Sequence, residues 1–174
     1  RFAHRDATAM AETLVSVAHF APGDVHLLLD PDPARLLGTL DGLASRKDAI
    51  LLFYYSGHAD ERAVYPGGHA LPLAEVRARL ARASADVTIG LLDACRGGGW
   101  TGSKGFVTEA PFEVEAPMNV GAEGTVFIAS STGSESAHES ERLRGSFFTH
   151  HFAAGLRGAA DASGDGAVSL AEAF

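Results

Sequence analysis

Apolar residues along this chain follow two alternating rhythms, short continuous runs and longer stretches in which they recur every three or four positions. The runs "VHLLL" (25–29), "AILLFYY" (49–55), "VTIGLLD" (87–93) and "TVFIAS" (125–130) lack the alternation of a half-exposed strand and predict strands buried on both faces. The helical rhythm covers 6–20, 33–44, 73–83 with Pro72 just ahead of it, and 146–157. Strands of this kind separated by helices predict an α/β fold, a mostly parallel sheet flanked by helices on both faces. Ligands of such sheets collect beyond the carboxyl ends of the strands, so the residues just after each run are the informative ones.

Length adds one constraint: 174 residues suffice for one well-buried domain and are too few for two ordinary ones. With 22 acidic against 14 basic residues, the net charge of −8 argues against a nucleic-acid or anionic-membrane surface and permits a basic ligand. The apolar runs are too short to span a bilayer, and the first residues lack the order of a signal peptide, so a cytoplasmic protein is expected. A single cysteine, Cys95, excludes an internal disulfide and a multi-cysteine metal site, leaving a packed thiol or a working one.

Two strand ends carry candidate chemistry. The run at 49–55 ends in Ser56-Gly57-His58, and the run at 87–93 ends in "DACRGGG", which brings Asp93, Cys95 and Arg96 to the same rim. A thiolate attacks a carbonyl where a thiol barely does, so a cysteine nucleophile needs a nearby base, and His58 is the candidate. The same imidazole would return a proton to the leaving amine. Glycines 57 and 97–99 suit loops that aim the backbone N–H groups of Ala59 and Cys95 at an oxyanion. Each residue alone has a plainer reading, Cys95 as a small buried hydrophobe and His58 as a hydrogen-bonded surface group. Their arrival together on consecutive strand ends favours the chemical one.

"YYSGHAD" followed by "LLDACRGGG" resembles the catalytic pair of caspase-like cysteine peptidases. In caspases the histidine lies roughly 50 residues before a Gln-Ala-Cys signature. Here 37 positions separate His58 from Cys95, and Asp93 stands where that glutamine would be. Both departures point to the metacaspase, paracaspase and bacterial orthocaspase branch. The resemblance extends to "FIASSTGSESAHES" and "GSFFTHHF" and implies a caspase-like fold over residues 1–160. It further implies an endopeptidase in which Asp93 lines the pocket beside the scissile bond, repels acidic side chains and favours Arg or Lys. The matching phrase "HRDATAM" puts Asp6 beside Asp93, with a helix N-cap or first-turn acid as its alternative reading. Glu139 is a third candidate acid, with a solvated loop charge as its alternative. Ser130 and Ser131 are candidate binders of the substrate backbone, or simply a turn that stops a strand. Lys104, a basic residue in a glycine-rich loop, is a candidate internal processing site. Chains of this resemblance carry a buried strand ahead of the helix at 6–20; none precedes it here, and the sequence reads as the core of a longer protein.

"DASGDGAVSLAE" separately fits a twelve-residue calcium loop, with Asp161, Ser163, Asp165, Ala167, Ser169 and Glu172 at ligand positions 1, 3, 5, 7, 9 and 12. Residues 161–174 are therefore expected to form a partial EF-hand-like unit that binds Ca2+ weakly, the alternative being a polar turn that caps a helix. The peptidase chemistry itself requires no cofactor. The remaining histidines lack metal-ligand spacing, and "RARLAR" (77–82) reads as a solvated helix face. The expected partner is a peptide or protein with a basic residue at the cleavage point, acted on by a monomeric catalytic domain. A catalytically silent binding module, hinted at by Ala59 where glycine usually follows the histidine, and a cysteine hydrolase acting on a non-peptide acyl group remain as alternatives.

Overall fold

The computed structural model of the chain describes residues 2–94, 124–130, 139–140, 144–168 and 172. Three parallel strands form its sheet: β1 (Ile50–Gly57) and β5 (Gly124–Ala129) flank β4 (Val87–Ala94). Two antiparallel pairs of two-residue strands, β2 (Ala63–Val64) with β3 (Leu71–Pro72) and β6 (Glu139–Ser140) with β7 (Gly145–Ser146), decorate the connections. Among the described residues four α-helices accompany them: α1 (Ala3–Ser16), α2 (Pro33–Ala44), α3 (Leu73–Leu80) and α4 (Phe147–Ala154). Among the described residues no helix is long and apolar enough to cross a membrane.

Each face of the sheet buries its own apolar cluster. Leu36 and Leu40 of α2 and Val76 and Leu80 of α3 pack with Leu51, Leu92 and Ala94 on one face. Met10 and Leu14 of α1 and Phe152 of α4 pack with Leu91 and Ile128 on the other. Successive residues of a strand point to opposite faces, so even positions of β4 serve α2 and α3 and odd ones serve α1 and α4. Each fully buried leucine contributes roughly 2 kcal/mol to this two-sided core. α2 starts where Asp32 accepts a hydrogen bond from the Arg35 N–H (2.7 Å) with Pro33 in the first turn. Asp32→Ala is expected to lower the unfolding free energy by about 1 kcal/mol, read as a lower urea midpoint.

Three sequence expectations change. Residues 25–29 form no strand: they face β1 across a cleft of about 1020 Å³, no ladder bonds bridge it, and Leu27 and Leu29 stay 41% and 45% exposed. A strand exists only where a neighbouring edge takes its backbone bonds, which an apolar run cannot guarantee. Burial on both faces holds for β4, whereas β1 and β5 are only partly covered, each being an outer strand among the described residues. The "RARLAR" face is only partly solvated, since the Arg77 guanidinium lies 4.8 Å from the centre of the Phe127 ring.

Candidate active site

The parallel register of β1 and β4 pairs Ser56 with Asp93 and Gly57 with Ala94. The next residue along each chain is His58 on one and Cys95 on the other. Cys95 itself lies outside the described residues, as do Ser131, Lys104 and Ser169. His58 is exposed just beyond the end of β1.

The backbone of His58 is held from two directions. Its carbonyl accepts hydrogen bonds from the Tyr55 hydroxyl (2.9 Å) and the Tyr65 N–H (3.0 Å), and that N–H is shared with the Tyr55 oxygen (3.2 Å). Burial pushes the Tyr55 phenol up to about 12, so it remains a hydrogen-bond donor through the neutral range. Asp60 closes the turn by accepting from the Arg62 N–H (2.7 Å), the Ala63 N–H (2.8 Å) and the Tyr65 hydroxyl. The Tyr65 hydroxyl, followed by those two backbone donors, holds the Asp60 carboxyl below its usual range. Ala59 bridges Val64, but the bridge's two bonds run through its neighbours, Asp60 N to Ala63 O and Tyr65 N to His58 O. The Ala59 N–H takes no part in them.

Gly57 sits in this arrangement at φ 157°, where an added Cβ would stand 2.7 Å from the Tyr55 hydroxyl oxygen. That oxygen cannot withdraw without giving up one of the two hydrogen bonds that hold the His58 carbonyl. Gly57→Ala is expected to cost about 1–3 kcal/mol of stability and to lower peptide turnover by about 10²-fold through displacement of His58. Thermal melting and steady-state kinetics measure the two effects separately.

The sequence candidates Asp6 and Asp93 come together on the face covered by α1 and α4. Asp93 is 3% and Asp6 5% exposed. Asp6 is the acid of the first turn of α1, whose N-cap is Phe2, and it also continues the inward stripe of Met10 and Leu14 at four-residue spacing. Both its carboxylate oxygens accept from the Ser146 N–H, each at 3.2 Å. Asp93 Oδ2 accepts from the Thr149 hydroxyl at 2.6 Å, and Thr149 also bonds the Tyr54 hydroxyl. Burial, and after it the charge of Asp93, drives the Tyr54 phenol upward. Asp93 Oδ1 is buried without a hydrogen-bond partner, and so is the Ser130 hydroxyl at the end of β5. The Ser130 N–H is used, donating to Leu92 O at 2.9 Å. The Glu139 backbone pairs with Ser146 in β6 and β7, while its side chain lies outside the described residues.

Sequence reasoning missed Thr149, Ser146, Tyr54 and Tyr55. The adjacent tyrosines gave a faint signal, since neighbours on a strand serve opposite faces and a phenol near a strand end tends to find a polar partner.

In the C-terminal loop, Asp161 accepts from Gly164 N (2.7 Å) and Gly166 N (3.0 Å), Asp165 from Ala167 N (2.8 Å), and Glu172 from Ser163 N (3.1 Å). These carboxylates are turned onto the loop's own backbone. Among the described residues no three His, Cys, Asp or Glu side chains converge to hold a metal ion.

A family model described as the caspase domain matches residues 1–173. No curated protein matches the chain.

Proposed function

Because this chain belongs to the caspase domain family of cysteine peptidases, we propose that it is an endopeptidase of the metacaspase and orthocaspase kind, cleaving after Arg or Lys with Cys95 as nucleophile and His58 as its acid–base partner. The observation that carries this reading is the β1–β4 register, in which two adjacent parallel strands end together and run on into His58 and Cys95.

In the proposed reaction His58 takes the Cys95 proton, and the sulfur attacks the carbonyl carbon of the residue to be cleaved. Electron density moves onto the carbonyl oxygen, which the backbone N–H groups of Ala59 and Cys95 receive. Collapse of the tetrahedral intermediate breaks the C–N bond, the amine leaves with the proton from His58, and a thioester remains. Water, deprotonated by His58, then cleaves the thioester to the new carboxylate and restores the thiol. Thiol, imidazole and water suffice for these steps, with no cofactor.

Substrate choice follows from charge. Asp93, buried near the end of β4 with one carboxylate oxygen unpartnered, offers an acceptor that a guanidinium or ammonium would satisfy. Asp6 adds a second carboxylate on the same face, and Ser130 a hydroxyl at the end of the neighbouring strand. An acidic side chain would meet repulsion there.

The test is covalent trapping. A peptide acyloxymethyl ketone ending in Arg is expected to add its mass to the protein at Cys95, whereas the same reagent ending in Asp leaves the mass unchanged. Equal labelling by both, or labelling that persists in Cys95→Ala, contradicts the reading.

A further inference from the structure

The N-cap and the first turn of α4 supply hydrogen-bond donors to the two buried carboxylates, through two residues three positions apart. Ser146, the N-cap, gives its N–H to both oxygens of Asp6 while its own hydroxyl accepts from Phe148 N at 3.0 Å. Thr149, 2% exposed, gives its hydroxyl proton to Asp93 Oδ2. Thr149 has one such proton, so in its contact with Tyr54 the phenol is the donor. The order of donation is therefore fixed: Tyr54 to Thr149, Thr149 to Asp93. Tyr54 comes from β1, Asp93 from β4 and Thr149 from α4, so three separate elements set the orientation of one carboxylate.

This chain of bonds explains why the two oxygens of Asp93 differ. Oδ2 is anchored, and Oδ1 is buried with no partner. An unpaired buried carboxylate oxygen is costly and persists only where its surroundings hold it in place. Tyr54 and Ser56, the register partner of Asp93, line the cleft that reaches His58.

We propose that Thr149, oriented by Tyr54, is a positioning residue for substrate selection: it clamps Asp93 by Oδ2 so that Oδ1 is presented to the cationic side chain of the substrate. The proposal rests on the reading that the chain cleaves after basic residues. The role assigned to Thr149 and Tyr54 is to orient Asp93, so their effect falls on binding of the basic side chain rather than on the chemical step.

The experiment compares wild type, Thr149→Val, Thr149→Ser and Tyr54→Phe. It measures kcat and KM for Arg-ending and Lys-ending peptides, the Kd of benzamidine as a cationic probe, and thermal melting of each protein. Thr149→Val keeps the shape and removes the hydroxyl, and is expected to raise KM and the benzamidine Kd about tenfold while kcat changes less than about threefold. Thr149→Ser restores the hydroxyl and is expected to return both constants to within about threefold of wild type, which a purely packing role of Thr149 would not do. Tyr54→Phe, which leaves the clamp without its outer donor, is expected to raise both constants in the same direction by a smaller factor. Unchanged benzamidine binding in Thr149→Val, a loss confined to kcat, or a Thr149→Ser protein no better than Thr149→Val overturns the proposal. If wild type cleaves no basic peptide, the peptidase reading fails while benzamidine binding by the same four proteins still judges the clamp. Absence of benzamidine binding to folded wild type overturns the clamp as well.

Discussion

Cys95→Ala is expected to lower kcat/KM for an Arg-ending peptide at least about 10⁴-fold, with the protein still folded. Removing the nucleophile from a group that acts as a unit leaves only the contribution of binding and of the oxyanion donors. Alanine adds no bulk beyond the lost sulfur, and the nearest described neighbour, Ala94 of β4, is itself small and buried. The fold should therefore tolerate the change, and circular dichroism alongside the kinetics separates lost chemistry from lost structure. Residual cleavage at a tenth of the wild-type rate would show that another residue is the nucleophile, and the sequence contains no second cysteine.

Asp93→Asn is expected to act differently, separating activity from stability. Truncating one partner of a buried charge pair costs about 2–5 kcal/mol of binding, and at about 1.4 kcal/mol per tenfold this lowers kcat/KM for Arg and Lys peptides by roughly 30- to 4,000-fold. Most of the loss should lie in KM. Stability should move the other way or not at all, because in the free protein Asp93 Oδ1 is buried without a partner and a buried charge costs more than a buried amide. Thr149 retains an acceptor in the asparagine oxygen. The measurements are kcat and KM against Arg, Lys and uncharged peptides, with Tm beside them. An equal loss toward all peptides, together with a lowered Tm, would make Asp93 a structural residue.

Much of this was legible in the sequence because strand ends are local. The run at 49–55 and the run at 87–93 became β1 and β4; His58 follows directly on the first strand, and Asp93 closes the second run. Asp6 was half legible. Its place near the helix start made it a first-turn acid, as it is, while its four-residue spacing to Met10 and Leu14 also puts it on the inward stripe of α1. Other features depend on contacts that no local pattern encodes. Thr149 meets Tyr54 across 95 positions and Asp93 across 56. The strands β2 and β3 contribute two residues each, too few for any periodicity, yet the hairpin they form fixes the carbonyl of His58. Residues 25–29 mislead for the converse reason: apolar composition records a tendency to be buried, and strand structure requires a neighbour's backbone.

A His58–Cys95 peptidase selective for basic residues is distinguished by hydrolysis of fluorogenic peptides ending in Arg, Lys, Asp or Asn, by wild type and Cys95→Ala, with calcium and with chelator. Cleavage after Arg and Lys is expected from wild type only. Cleavage after Asp or Asn in preference to Arg and Lys, or none by folded wild type in either condition, would contradict it.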